Sequence, residues 1–98
     1  MRPNHRWIVI YDILDKKRLT KVAKLMESFG MRIQRSVFEM AGSGRLVELV
    51  TSKLEFILED VDSVIFIPLC VEDYEKTVRM GSAMRVPDTE LLDENIFV

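Results

Sequence analysis

Residues that usually carry chemistry are scarce in this chain. It has one cysteine and one histidine in 98 residues. The lone cysteine, Cys70, excludes an intrachain disulfide and fits a reducing, cytoplasmic setting. Its expected place is inside, as a small apolar side chain. The one histidine, His5, precedes the first strand pattern and is a poor candidate for a general base. Four glycines and three prolines leave no linker, repeat or low-complexity run. No apolar stretch reaches the roughly 18 residues of a membrane-spanning helix, and no secretory signal opens the sequence, so no membrane partner is expected.

What is present is apolar and unevenly charged. A 48% apolar fraction is ample for a core and argues against disorder. The length suits one domain, expected over residues 1–85, with an acidic tail over 86–98. The net charge is −2, yet residues 1–35 hold nine Lys/Arg against three Asp/Glu, and residues 36–98 hold five against thirteen. The two parts therefore carry +6 and −8. Such polarity suggests a basic surface for a polyanion and an acidic surface for a basic protein partner.

Trp7–Asp12 reads as a strand, rich in β-branched and aromatic residues. Asp15 is placed to cap a helix over Lys16–Ser28. Leu19, Val22, Ala23 and Met26 form one apolar stripe along it. Gly30 is the expected stop. Met31–Met40 reads as a second strand, Ala41–Gly44 as a turn, and Arg45–Glu59 as a helix with Leu46, Leu49, Val50, Leu54 and Ile57 inward. Ser63–Leu69 is a third strand, Val71–Tyr74 a turn and Lys76–Met80 a short fourth strand. The expected fold class is α+β, a ferredoxin-like βαββαβ antiparallel sheet, although the segments as assigned run βαβαββ. Helices in such a fold cover one face, yet Trp7–Tyr11 and Val64–Leu69 are apolar at every position. The open face therefore predicts a homodimer through the sheet. The apolar ending Asn95–Val98 suggests an extra C-terminal strand on a sheet edge.

The densest signal lies in Tyr11–Glu39. An apolar strand ends on Asp12, and Lys16, Lys17, Arg18, Lys21 and Lys24 follow at once. A carboxylate at a strand tip, facing cations, can hold a hard metal beside a phosphate chain. From position alone a turn or cap role is the favoured reading of Asp12. Tyr11 alternates away from Asp12 and is expected to pack. Basic residues at the start of a helix oppose its dipole, which is easier to understand if they face phosphates.

The ordered set Tyr11-Asp12-Ile13, Asp15-Lys16-Lys17-Arg18, Phe29-Gly30 and Arg32-Ile33-Gln34-Arg35-Ser36-Val37-Phe38-Glu39 resembles one family. It is the small CRISPR-associated endonuclease, the second of the two nearly universal CRISPR-associated proteins. The match covers about the first forty residues. Phe29 stands where a Tyr often precedes the glycine, and Lys replaces Arg at several early helix positions. Lys lacks the bidentate fork that Arg offers phosphate.

The resemblance implies a homodimer in which two Asp12 carboxylates share Mg²⁺, with Mn²⁺ as the alternative. It implies phosphodiester hydrolysis of RNA or DNA, and a role in spacer acquisition beside the CRISPR integrase. Lys16, Lys17, Arg18, Lys21, Arg32 and Arg35 become candidates for nucleic-acid binding, on duplex DNA or single-stranded RNA. Tyr11, Asp15 and Phe38 become candidates for support. Rival readings are a non-catalytic DNA-binding scaffold and an RNA-cleaving toxin of the same fold. An RNA-recognition module is disfavoured, because Ser63–Leu69 lacks the K/R-G-F/Y aromatic signature that stacks bases.

Overall fold

The computed structural model describes residues 5–81. Their elements are β1 (Arg6–Asp12), α1 (Lys16–Phe29), β2 (Met31–Gln34), β3 (Val37–Ala41), α2 (Gly44–Leu54), β4 (Ser63–Leu69) and α3 (Val71–Glu75). The acidic tail and the expected strand Asn95–Val98 lie outside the described residues. The four strands form one antiparallel sheet in the order β2-β3-β1-β4, which is the ferredoxin-like arrangement. No helix of the described residues is long and apolar enough to cross a membrane.

β1 is central because it is apolar in both alternations. Val9 and Tyr11 turn toward the helices and are buried; Ile8, Ile10 and Asp12 turn the other way. Val9 pairs with Phe38 on one side and Phe66 on the other. The α1 stripe closes over this layer with Val22 and Met26, and α2 adds Val50 and Leu54. Each such side chain contributes about 1.5–3 kcal/mol by leaving water.

The boundaries of α1 follow from chemistry visible in the sequence. The Asp15 carboxylate accepts the Arg18 N–H at 3.0 Å, a side-chain cap. At the other end the Gly30 N–H donates to the Met26 carbonyl at 2.9 Å. The backbone of Gly30 is ordinary extended chain, so left-handed geometry is not its reason. A Cβ there would sit 2.3 Å from the Glu39 carbonyl oxygen. Gly30 is required because β3 passes against the helix end.

Several expectations fail, each for a local reason. Met31–Met40 is a hairpin rather than one strand, broken at Arg35 and Ser36, with a register shift between Arg32 and Gln34. The second helix stops at Leu54 rather than Glu59. Phe56 and Ile57 bond three residues back, to Lys53 and Leu54, and tighten the last turn. Leu49 is 45% exposed rather than inward. Val71–Glu75 is a short helix, not a turn. Cys70 is exposed, and its Sγ accepts the Asp73 N–H at 3.4 Å at the head of that helix.

Residues 76–80 form no strand. Arg79 instead turns its side chain to the open face of the sheet. Arg79 donates to Glu39, which lies on the face opposite Phe38 and Met40 and is only 6% exposed. The guanidinium groups of Arg6 and Arg79 lie over the Tyr74 ring, at 4.4 and 5.9 Å from its centre. This arm covers the Arg6 end of the open face. The Asp12 end stays bare, with Ile10, Ile65 and Ile67 at 37%, 52% and 39% exposed.

Two outcomes check this account. Arg79→Ala leaves a buried carboxylate unpaired and should cost about 3 kcal/mol in urea unfolding, whereas replacing Glu39 and Arg79 together by Leu should recover most of it. Gly30→Ala should cost about 1–3 kcal/mol, because the obstruction is backbone and cannot swing away.

Candidate functional site

Everything singled out in the first motif gathers at one end of the sheet, but on two faces. Asp12 is the last residue of β1, paired through its backbone with Ser63. Its side chain is exposed on the open face, beyond Ile8 and Ile10. That carboxylate has no hydrogen bond or ion pair among the described residues. Those residues contain no group of three or more His, Cys, Asp or Glu able to hold a metal. A hard cation at Asp12 is chemically suited to its oxygens, but one carboxylate is an incomplete site. Further donors have to come from beyond these residues.

Tyr11, one residue earlier, points into the helix side. It is 3% exposed, and its ring stacks on Phe38 with centres 6.0 Å apart. Its hydroxyl donates to the Arg35 carbonyl at 3.4 Å. Burial pushes the phenol above its ordinary value, and the charge of Arg32 draws it part of the way back. The group stays protonated near neutral pH and is a donor, not a base.

The basic helix divides into two kinds of cation. Lys16, Lys17 and Lys21 are exposed and make no ion pair among the described residues. Arg18 is taken up by Asp62: Nε donates to Oδ2 at 2.7 Å and Nη2 to Oδ1 at 3.1 Å. Asp62 also accepts the backbone N–H groups of Leu14, at 3.2 Å, and Glu59, at 2.9 Å. Its side chain has no exposed surface. The Arg18 guanidinium, aided by the two backbone donors, holds its carboxyl far below the usual carboxylate range. Arg18 thus ties the head of α1 to the loop before β4.

The second motif lies mainly on the helix face. Arg32 sits over the Phe38 ring at 5.3 Å, and bonds Glu27 at 3.3 Å and the Arg35 carbonyl at 3.4 Å. Phe38 is fully buried and shapes the site from beneath. Arg35 is exposed on the β2–β3 turn. Asp15 serves as the helix cap. Asp62 was missed from sequence; its one signal is a carboxylate immediately ahead of the Ser63 strand.

Comparison with known proteins fits this geometry. The family model described as CRISPR associated protein Cas2 matches residues 5–77. The chain belongs to the Cas2 family. A CRISPR-associated endoribonuclease Cas2 of Rhodospirillum rubrum is 32% identical over 87 residues, covering 88% of this chain and 70% of that protein. One of Mycobacterium tuberculosis is 40% identical over 58 residues, and there the matched part spans half of the relative's length. The crystal structure of Streptococcus pyogenes Cas2 at pH 6.5 superposes with a TM-score of 0.68 at 29% identity, covering 78% of this chain and 99% of that one. In this Cas2 chain the family motif therefore falls into exposed groups (Asp12, the lysines, Arg35) and groups that build the scaffold.

The Asp62 clamp sets a pH dependence. Its folded pKa lies below its ordinary 3.8, so the stability it contributes is present above that value and is lost as pH falls below it. Asp62→Asn should flatten the acid limb of a stability-against-pH curve, as followed by urea unfolding at a series of pH values.

Proposed function

We propose that the protein works as a homodimer joined through the bare part of its open face, forming a nuclease centre where two Asp12 carboxylates meet. The observation that carries this reading is the position of Asp12: exposed, unpartnered among the described residues, and on the same face as exposed Ile10, Ile65 and Ile67. Apolar side chains at that density favour burial against a second copy. Two copies would supply the paired carboxylates that one chain lacks. Mg²⁺ held there, or Mn²⁺, supplies neutralisation of the charge that develops on a phosphate during hydrolysis.

The chain's own groups do the rest. Lys16, Lys17 and Lys21 hold the phosphate backbone by charge, without reading bases. Buried Tyr11 and Phe38 fix the strand that presents Asp12. Among the described residues no histidine stands near Asp12, since His5 is at the other end of β1, roughly 20 Å away along an extended chain. The names of the relatives support RNA as the strand cleaved.

Lys16, Lys17 and Lys21 also support a second reading, in which the dimer is a scaffold for duplex DNA in spacer acquisition beside the CRISPR integrase. Asp12→Asn separates the two. It should end Mg²⁺-dependent cleavage of single-stranded RNA while sparing duplex binding; unchanged cleavage would overturn the Asp12 centre. Light scattering should give a dimer mass, and a monomer at micromolar concentration would overturn the joined-sheet assembly. Changing Lys16, Lys17 and Lys21 to Ala should weaken duplex binding and shrink its salt slope by roughly one unit for each phosphate no longer neutralised.

A further inference from the structure

The helix side of the sheet carries a cavity that the Asp12 centre does not use. It lies between α1 and the β2–β3 turn and has a volume of about 660 Å³. It is open to solvent on one side, and its volume exceeds what a lone phosphate fills. Leu19 and Ala23 give it an apolar wall. Lys24, Arg32 and Arg35 give it three cations, against one carboxylate, Glu27.

The ion pairing leaves this charge unbalanced. Glu27 is taken up by Arg32. Lys24 and Arg35 have no ion pair among the described residues. Arg32 is also a flat surface, because its guanidinium rests over the buried Phe38 ring at 5.3 Å. Bases stack on guanidinium planes as they do on aromatic rings. An inorganic anion would leave the apolar wall empty, and an uncharged apolar ligand would leave two cations unmatched. A planar base joined to a phosphate uses all three features.

We propose that this cavity holds one nucleotide of single-stranded nucleic acid, with its base against Arg32 and its phosphate at Lys24 and Arg35. Tyr11 lines the cavity while Asp12, the next residue, faces the other side of the sheet. A strand passing over the Arg35–Ser36 turn would carry a neighbouring phosphate toward Asp12. The proposal rests on the nuclease reading for the identity of the strand, and not for the cavity's chemistry.

The test is titration of isotope-labelled protein with 5′-UMP, uridine, inorganic phosphate and a five-residue oligouridylate, followed by amide NMR. The two nucleotide ligands should move the amides of Lys24, Arg32, Arg35 and Ser36. Uridine and phosphate should each bind about tenfold more weakly than 5′-UMP, a difference of about 1.4 kcal/mol. The oligonucleotide should bind more tightly than the free nucleotide; equal affinity would overturn the strand as the source. Ala23→Phe, which fills the cavity, should abolish these shifts. Arg35→Glu changes only an exposed turn residue and should weaken nucleotide binding at least tenfold with the fold intact. Shifts confined to another surface, or unaffected by Arg35→Glu, would overturn the proposal. Asp12→Asn should keep nucleotide binding in full, so loss of the Asp12 centre and loss of this cavity are read separately.

Discussion

Two helices lie on one face of a four-stranded sheet whose central strand is apolar on both. From that mismatch most of the molecule's distinctive features descend. Val9 and Tyr11 meet the helices, while Ile8 and Ile10 are left on the other side with no layer to cover them. The arm after α3 relieves part of the problem. It brings Arg79 back to Glu39 and sets Tyr74 against the guanidinium groups of Arg6 and Arg79. A carboxylate at 6% exposure is tolerable only because a cation covers it. The cover ends before Ile10, and Asp12 stands at the edge of what remains bare.

The sequence was most legible where one residue does one job. Asp15 as cap, Gly30 as stop and the Leu19–Met26 stripe were all readable, because capping, close approach and period are local properties. The hairpin was not. Its two turn residues, Arg35 and Ser36, include no glycine, and no non-glycine residue described has positive φ. The usual hairpin signal of Asn-Gly or Asp-Gly is therefore absent. The arm was hidden for a different reason. Lys76–Met80 alternates like a strand, but its fate is decided by Glu39, forty residues away from Arg79. No local pattern encodes a long-range ion pair. Cys70 misled because buried cysteine is the common case, whereas here the sulfur heads a short helix.

The site shows the same division. That Asp12 is exposed and Tyr11 buried was legible from alternation. That Arg18 differs from Lys16, Lys17 and Lys21 was not, since all four read as one basic cluster. Geometry separates them: Arg is the residue whose planar fork can match both oxygens of Asp62. The departure from the family habit of arginine at the other positions then has a physical consequence. On the proposed reading, lysines left in water meet a polyanion by charge alone, which suits binding that ignores sequence.

The basic start of α1 costs the helix some stability, for its first turn carries no acidic residue and three basic ones. Arg18 is compensated by Asp62, and the Asp15 cap satisfies one backbone donor. Lys16 and Lys17 have no such compensation among the described residues. Their charge adds to the positive end of the helix dipole, and both lie within the same few residues as Asp12. That charge has an acidic neighbour, because the loop at Glu59–Asp62 is bonded to the head of α1 through the Asp62 carboxylate. Asp62 absorbs Arg18 alone, so on the proposed reading Lys16 and Lys17 are the cations of that turn left to meet a phosphate backbone, and the local cost to the helix is what keeps them available.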